Sequence, residues 1–165
     1  MKIIMILALF TVITLFNIAR GGEDQHGHHE HTAPHGGTLV VFGDEFAHLE
    51  LVLDPEEGKL TAYVLDGEAE NPVRIKQEYI ELKISIKGPD NQKGGPNFPL
   101  KLKAVANPLT GETEGDTSQF TGQSEHLKDV TNFEAVVIEV VVKGKEFKNV
   151  VFNYPQGNEQ QKEVY

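Results

Sequence analysis

The sequence predicts an all-β fold: an antiparallel β-sandwich of immunoglobulin-like or similar Greek-key type, with a small closed barrel as the alternative. Three observations carry this expectation. Apolar and polar residues alternate with period two in most segments between residues 46 and 154. Clusters of Gly, Pro, Asn and Asp punctuate those segments at hairpin spacing. Apart from one candidate helical turn, no helical periodicity interrupts them.

The elements follow in order. Residues 38–42 supply a first short strand. Residues 46–53 alternate, with Ala47, Leu49, Leu51 and Leu53 on one face and Phe46, His48, Glu50 and Val52 on the other. Asp54-Pro55-Glu56-Glu57-Gly58 is turn chemistry, because proline presets φ and glycine accepts a positive one. Residues 59–65 return as the partner strand of a hairpin. Asp66-Gly67 opens the next turn, and residues 72–75 form a short strand at most. Ile80, Leu82, Ile84 and Ile86 then alternate with Glu81, Lys83, Ser85 and Lys87, a strand with one wet face.

Residues 88–96 are rich in Gly, Pro, Asn and Asp and read as a loop. Leu100, Leu102 and Ala104 alternate within a strand over 98–106. A polar loop covers 107–117, a short strand 118–122, and Ser124 is placed to cap a single helical turn. Residues 133–142 and 146–154 flank Lys143-Gly144-Lys145, a hairpin signal. Ala135-Val136-Val137-Ile138 and Val140-Val141-Val142 are apolar on both faces, the signature of a central strand covered on both sides.

Ahead of this domain stands a hydrophobic leader. Met1 and Lys2 make a minimal positive start, and residues 3–16 are almost purely apolar. The run is long for the apolar region of a signal peptide and slightly short for the roughly 20 residues of a membrane span. Ala19 suits the position before a cleavage site, whereas Asn17 does not suit the position two earlier. Residues 1–19 are therefore expected to be a signal peptide or an N-terminal membrane anchor. Residues 20–34 read as a disordered histidine-rich linker, 35–155 as the β-sandwich domain and 156–165 as a polar tail. The protein is expected to be periplasmic or secreted, touching a membrane only through its first segment.

Without the leader about 145 residues remain, enough for one domain with its own core. The chain contains no cysteine, so it has no lipid-attachment site, disulfide framework or thiolate metal site. Its 25 acidic and 15 basic residues leave a net charge of −10. Such a surface repels nucleic acid, which is excluded as a partner, and attracts cations.

The chemistry is concentrated in histidine. Five of the seven, His26, His28, His29, His31 and His35, crowd one short segment beside Glu23, Asp24 and Glu30. Neutral imidazole is the commonest side-chain metal ligand, and adjacent or alternating histidines in a pliant chain suit an adaptable chelator. The alternative is a solvated polar linker that happens to be histidine-rich.

A second constellation lies in the first hairpin. His48 and Glu50 stand two apart on one strand face, opposite Leu49 and Leu51, and should project together away from the core. His35, in Pro34-His35-Gly36-Gly37, is brought back near that strand if residues 38–42 and 46–51 pair. His35, His48 and Glu50 are thus a candidate N,N,O metal site. The alternative is an ordinary solvent-facing strand whose polar residues pair with neighbours.

Pro34-His35-Gly36-Gly37, then His48-x-Glu50-Leu51-Val52, then Leu60-x-x-Tyr63-Val64-Leu65-Asp66 resembles a small exported bacterial domain. Its pattern is similar to stretches near the start of periplasmic adaptor subunits of heavy-metal efflux pumps. The resemblance covers residues 34–75. It implies metal handling outside the inner membrane, with His35, His48 and Glu50 as the positions carried over and an envelope or efflux protein as a partner. The chain departs from that family in lacking a lipid-attachment cysteine and the adaptor's hairpin and lipoyl-type domains.

No enzyme is expected. Ser124 and His126 lack a nucleophile elbow, and Asp90, Glu112, Glu114 and Asp116 lack calcium-loop spacing. The expected function is the binding or buffering of a metal ion, copper or zinc, as a divalent or cuprous ion. A non-catalytic β-sandwich that binds another envelope protein is the alternative.

Overall fold

The computed structural model describes residues 31–87 and 93–159. Among these residues there is no α-helix, and eight strands account for the architecture: β1 Thr38–Phe42, β2 Ala47–Asp54, β3 Lys59–Leu65, β4 Tyr79–Lys87, β5 Lys93–Ala104, β6 Gln119–Gln123, β7 Phe133–Val142 and β8 Lys145–Tyr154. All neighbours pair antiparallel in one sheet, ordered β1-β2-β3-β6-β5-β4-β7-β8. The all-β, antiparallel expectation therefore holds. The strands hydrogen-bond continuously, however, because Lys103 pairs with Thr121 and Ala104 with Phe120, joining two four-stranded halves.

The sheet's two ends approach each other, which makes it nearly a barrel. Residues following β8 close the seam. The Val41 N–H donates to Asn158 Oδ1 at 2.8 Å, and Asn158 Nδ2 donates to the Val41 carbonyl at 3.1 Å. One side-chain amide thus stands where a neighbouring strand's peptide would. Thr38 Oγ1 donates to the Pro155 carbonyl at 3.0 Å beside it. A bare edge on β1 would otherwise offer its peptide groups to another chain.

Period-two patterning fills the interior. Val40 and Phe42, Ala47, Leu49 and Leu51, Leu60, Ala62 and Val64, Ile80, Leu82 and Ile84, and Leu102 and Phe120 are all inaccessible to solvent and share one core. Each fully buried large apolar side chain contributes roughly 1.5–3 kcal/mol relative to exposure.

Two local expectations are corrected. Gly94-Gly95-Pro96, assigned to a loop, lie in β5, which begins at Lys93. The pairing shifts register between Ser85 and Lys87 of β4, and an irregularity of this kind accommodates residues that propensity alone excludes from a strand. The run in β7 is also not covered on both sides. Phe133, Ala135 and Val137 point inward, then the phase changes and Val140 and Val142 do so, while Val136, Ile138 and Val141 are half-buried. In β8 the phase changes likewise between Phe152 and Phe147, across Asn149 at φ 53°. Two half-runs of opposite phase mimic an all-apolar strand.

Turn signals were legible as drawn. Lys143 and Gly144, both at positive φ (49° and 80°), close the two-residue β7–β8 hairpin. Ser124 caps a single 3-10 turn, Glu125–Leu127, accepting from the His126 N–H.

Candidate metal centre

Strand β2 has two buried faces. Ala47, Leu49 and Leu51 enter the core as the alternation requires. His48 and Glu50 occupy the opposite face, but they do not face water as expected: both are completely buried. Residues 31–37 form a strap across this side of the hairpin, and its histidines reach both buried side chains.

The Pro34-His35-Gly36-Gly37 sequence explains how the strap can lie so close. Gly36 adopts φ +70°, and its N–H donates to the Ala33 carbonyl, turning the chain. At Gly37 a Cβ would stand 2.5 Å from the Leu51 carbonyl oxygen and 2.9 Å from Glu50 Cγ. Only a residue without a side chain allows this approach.

Glu50 fastens the strap. Its Oε1 accepts from the His35 N–H at 2.7 Å and the Gly37 N–H at 2.9 Å, and its Oε2 lies 2.7 Å from His35 Nδ1. Because a carboxylate accepts, Nδ1 is the nitrogen of His35 that donates to Glu50, and Nε2 takes no part in that contact. The ring stacks on Tyr63, the register partner of Glu50 on β3, and its side chain remains 44% exposed. Burial, helped by the Glu50 charge, raises the Tyr63 phenol above its ordinary pKa. Both oxygens of Glu50 are thus engaged, whereas His35 presents an oriented Nε2.

His48 has a different partner. Its Nδ1 lies 3.0 Å from the Asp66 carbonyl oxygen, which can only accept, so the proton sits on Nδ1 and the lone pair on Nε2. The Asp66 side chain holds this carbonyl in place by accepting from the Glu70 and Asn71 N–H groups and from Asn71 Nδ2. Although desolvation opposes it, that hydrogen bonding keeps the Asp66 carboxyl below its ordinary pKa.

The other nitrogen of His48 is buried and has no hydrogen-bond partner among the described residues, and the same is true of His31 Nε2. The two rings lie edge to face, with centroids 4.8 Å apart and planes at 63°. The His31 side chain is 6% exposed, and Glu45 Oε2 stands 4.0 Å from its Nε2. Burial lowers the pKa of His48, and the neighbouring His31 lowers it further against the opposing Asp66 hydrogen bond. The ring is therefore a neutral imidazole near pH 7. A buried polar atom without a hydrogen-bond partner costs about 1–3 kcal/mol, so two such atoms on neighbouring rings require a physical reason.

The expected site is thus divided. His35 and Glu50 bind each other, while His48 meets His31, a residue assigned from sequence to the linker. His26, His28 and His29 lie outside the described residues. Among the described residues no group of three or more His, Asp or Glu side chains converges as a metal cage. Asp66, Glu45 and Tyr63 escaped sequence reasoning as site residues. The hairpin register alone places Tyr63 opposite Glu50, so that contact had a signal; the roles of Asp66 and Glu45 had none.

Two other sequence features have structural roles. Ser124 and His126 form the cap described above, with the His126 ring 5.0 Å from that of Phe98. Glu112 ties down its loop by accepting from Ser118 N–H and Oγ–H and from the Thr110 hydroxyl.

The class defined by this geometry is an all-β, barrel-like domain with a strap-covered pair of imidazoles. Compared with known protein families, curated proteins and solved structures, the chain matches none of them.

Proposed function

We propose that this protein binds and buffers a metal ion, copper or zinc, outside the cytoplasm. One observation carries the reading: the Nε2 atoms of His31 and His48, both buried and both without a hydrogen-bond partner among the described residues, belong to rings 4.8 Å apart. Two buried imidazole nitrogens without hydrogen bonds are destabilising by themselves, and such nitrogens can serve as metal ligands. The Asp66 carbonyl supports this by setting the His48 tautomer, as outer hydrogen bonds do for metal-ligating histidines.

In this reading His26, His28 and His29 capture ions and the strap delivers them, since His31 continues the same histidine run. His35 Nε2, on a side chain that is partly exposed, is an additional ligand. The leader supports a periplasmic or secreted location, and the resemblance of residues 34–75 supports an envelope or efflux partner. We read the scaffold as a flattened barrel whose halves, β1-β2-β3-β6 and β5-β4-β7-β8, enclose one core as the sheets of a sandwich do.

Thermal unfolding of the full chain with added copper and zinc tests this reading. An ion at 100 times its Kd stabilises by about 2.7 kcal/mol. That gain should vanish in His48→Gln and persist in His126→Gln. Equal behaviour of the two variants would leave the alternative of a non-catalytic interaction domain.

A further inference from the structure

We propose that two copies of this chain associate about a twofold axis, the Leu109 tip of each entering a cleft beside Tyr79 in the other. The inference is independent of the imidazole pair and of the function read from it. Three large apolar side chains are exposed among the described residues: Tyr79, Leu109 and Val151. The first two belong to the elements that form this surface.

Leu109 is 97% exposed, yet the loop that carries it is firmly held. The Asn107 side chain accepts from the Leu109 N–H at 3.1 Å. The Asn107 carbonyl accepts from the Thr110 and Glu112 N–H groups at 3.2 and 2.9 Å, and its N–H donates to the Glu112 carbonyl at 3.1 Å. The Arg74 guanidinium, on the segment between β3 and β4, donates to the Thr110 and Gly111 carbonyls. A lone exposed leucine is ordinary. This one stands in a hydrogen-bonded turn, so little backbone freedom remains to be lost on docking.

The cleft and the loop share a wall. Glu78, Tyr79, Lys103, Ala104 and the loop's own Glu114 line a cleft of about 500 Å³, within the size range of sites that accept a ligand. Tyr79, 40% exposed, and Ala104 give it apolar surface. Lys103 and Glu114 border it with opposite charges, and neither has an ion-pair partner among the described residues.

Leu109 is too exposed to be filling the cleft of its own molecule. A twofold axis lays one patch on its own copy, so tip meets cleft and cleft meets tip. The same operation sets Lys103 of one copy against Glu114 of the other, twice. Glu78 adds a like charge, which limits the affinity. The contact is small, in the transient class below about 1,200 Å², so association should appear only at about 0.1–1 mM protein.

The test follows the full chain in detergent micelles, which hold the leader of every variant alike. Sedimentation reads the mass, and NMR of the Leu109 methyl groups reads the surface. Dimer should form as concentration rises, and the Leu109 signals should move with it. Leu109→Asp, at a side chain outside the core, should leave thermal unfolding unchanged. It should weaken association about 100-fold or more, because two buried leucines are lost per dimer. Lys103→Glu and Glu114→Lys should each weaken it about 10-fold, through like charges facing each other twice. Mixing those two variants should restore it, because in the mixed dimer both contacts join opposite charges. A chain that stays monomeric at about 1 mM would overturn the proposal and leave the tip to a partner of another kind. Association that survives in Leu109→Asp, or charge variants that do not recover on mixing, would overturn it as well.

Discussion

The imidazole of His35 lies flat against the phenol ring of Tyr63, with centroids 3.7 Å apart and planes 9° from parallel. Tyr63 is paired across strands with Glu50, which in turn accepts three hydrogen bonds from the strap. Strap, β2 and β3 are therefore joined by one layer of three side chains. This clasp holds the strap against the sheet.

The clasp should be carried mainly by the carboxylate. Glu50→Ala removes the acceptor of two backbone donors and of the His35 ring, and hydrogen bonds to a charged group are worth about 1.5–3 kcal/mol each, less where water can replace them. We expect a loss of about 3 kcal/mol in urea unfolding, with faster amide exchange at His35 and Gly37. Tyr63→Leu removes only the stacking and should cost about 1 kcal/mol. Equal losses in the two variants would contradict the assignment.

The two glycines of the strap should fail for different reasons. Gly37→Ala places a Cβ 2.5 Å from the Leu51 carbonyl, and overpacking against rigid backbone costs roughly 1–3 kcal/mol. Gly36→Ala meets open space and pays only for φ +70°, about 1–2 kcal/mol. Exchange protection at His35 should therefore collapse in Gly37→Ala and survive in Gly36→Ala. The reverse order would show that the strap does not lie as close as described.

Acid should destabilise the ion-free domain through His48. Its folded pKa is lowered, chiefly by burial, from 6.5. Between the folded value and 6.5 the unfolded chain binds the extra proton, so stability is full above pH 6.5 and falls as pH drops through the folded pKa. The window is separate from that of Asp66 and Glu112, whose lowered values begin from 3.8 and 4.5. Denaturant midpoints measured from pH 8 to pH 5 should slope downward, and His48→Gln should flatten that slope. An unchanged slope would remove His48 as its source. The same protonation should release a bound ion.

Asn158 should behave as part of the barrel. Asn158→Ala leaves the Val41 N–H and carbonyl without their partner. A cost of about 1–3 kcal/mol is expected, together with exposure of an edge prone to pairing between chains. Amide exchange at Val41 and light scattering of the variant measure the two effects. Slow exchange in Asn158→Ala would show that the seam closes without this amide.

Much of the strand pattern could be read directly. Residues 59–65 and 79–87 are strands with the bounds that alternation and flanking turns assign to them. Ser124 caps its turn and Lys143-Gly144 closes its hairpin, because capping and turn geometry depend on a few adjacent residues. The choice between a sandwich and its barrel alternative was not legible. Whether β6 bridges β3 and β5 depends on contacts between segments far apart in the chain, and alternation is the same in either arrangement.

The sequence by itself determined which residues alternate, where the chain turns, and that His48 and Glu50 share the face opposite Leu49 and Leu51. That much follows from the two-residue period of a strand, a local geometric fact. Only the tertiary structure decided what covers that face. The strap buries it, giving Glu50 to His35 and Gly37 and leaving His48 beside His31. Pairing of this kind depends on the path of a segment joined to the sheet by nonlocal hydrogen bonds, and no period in the sequence encodes that path.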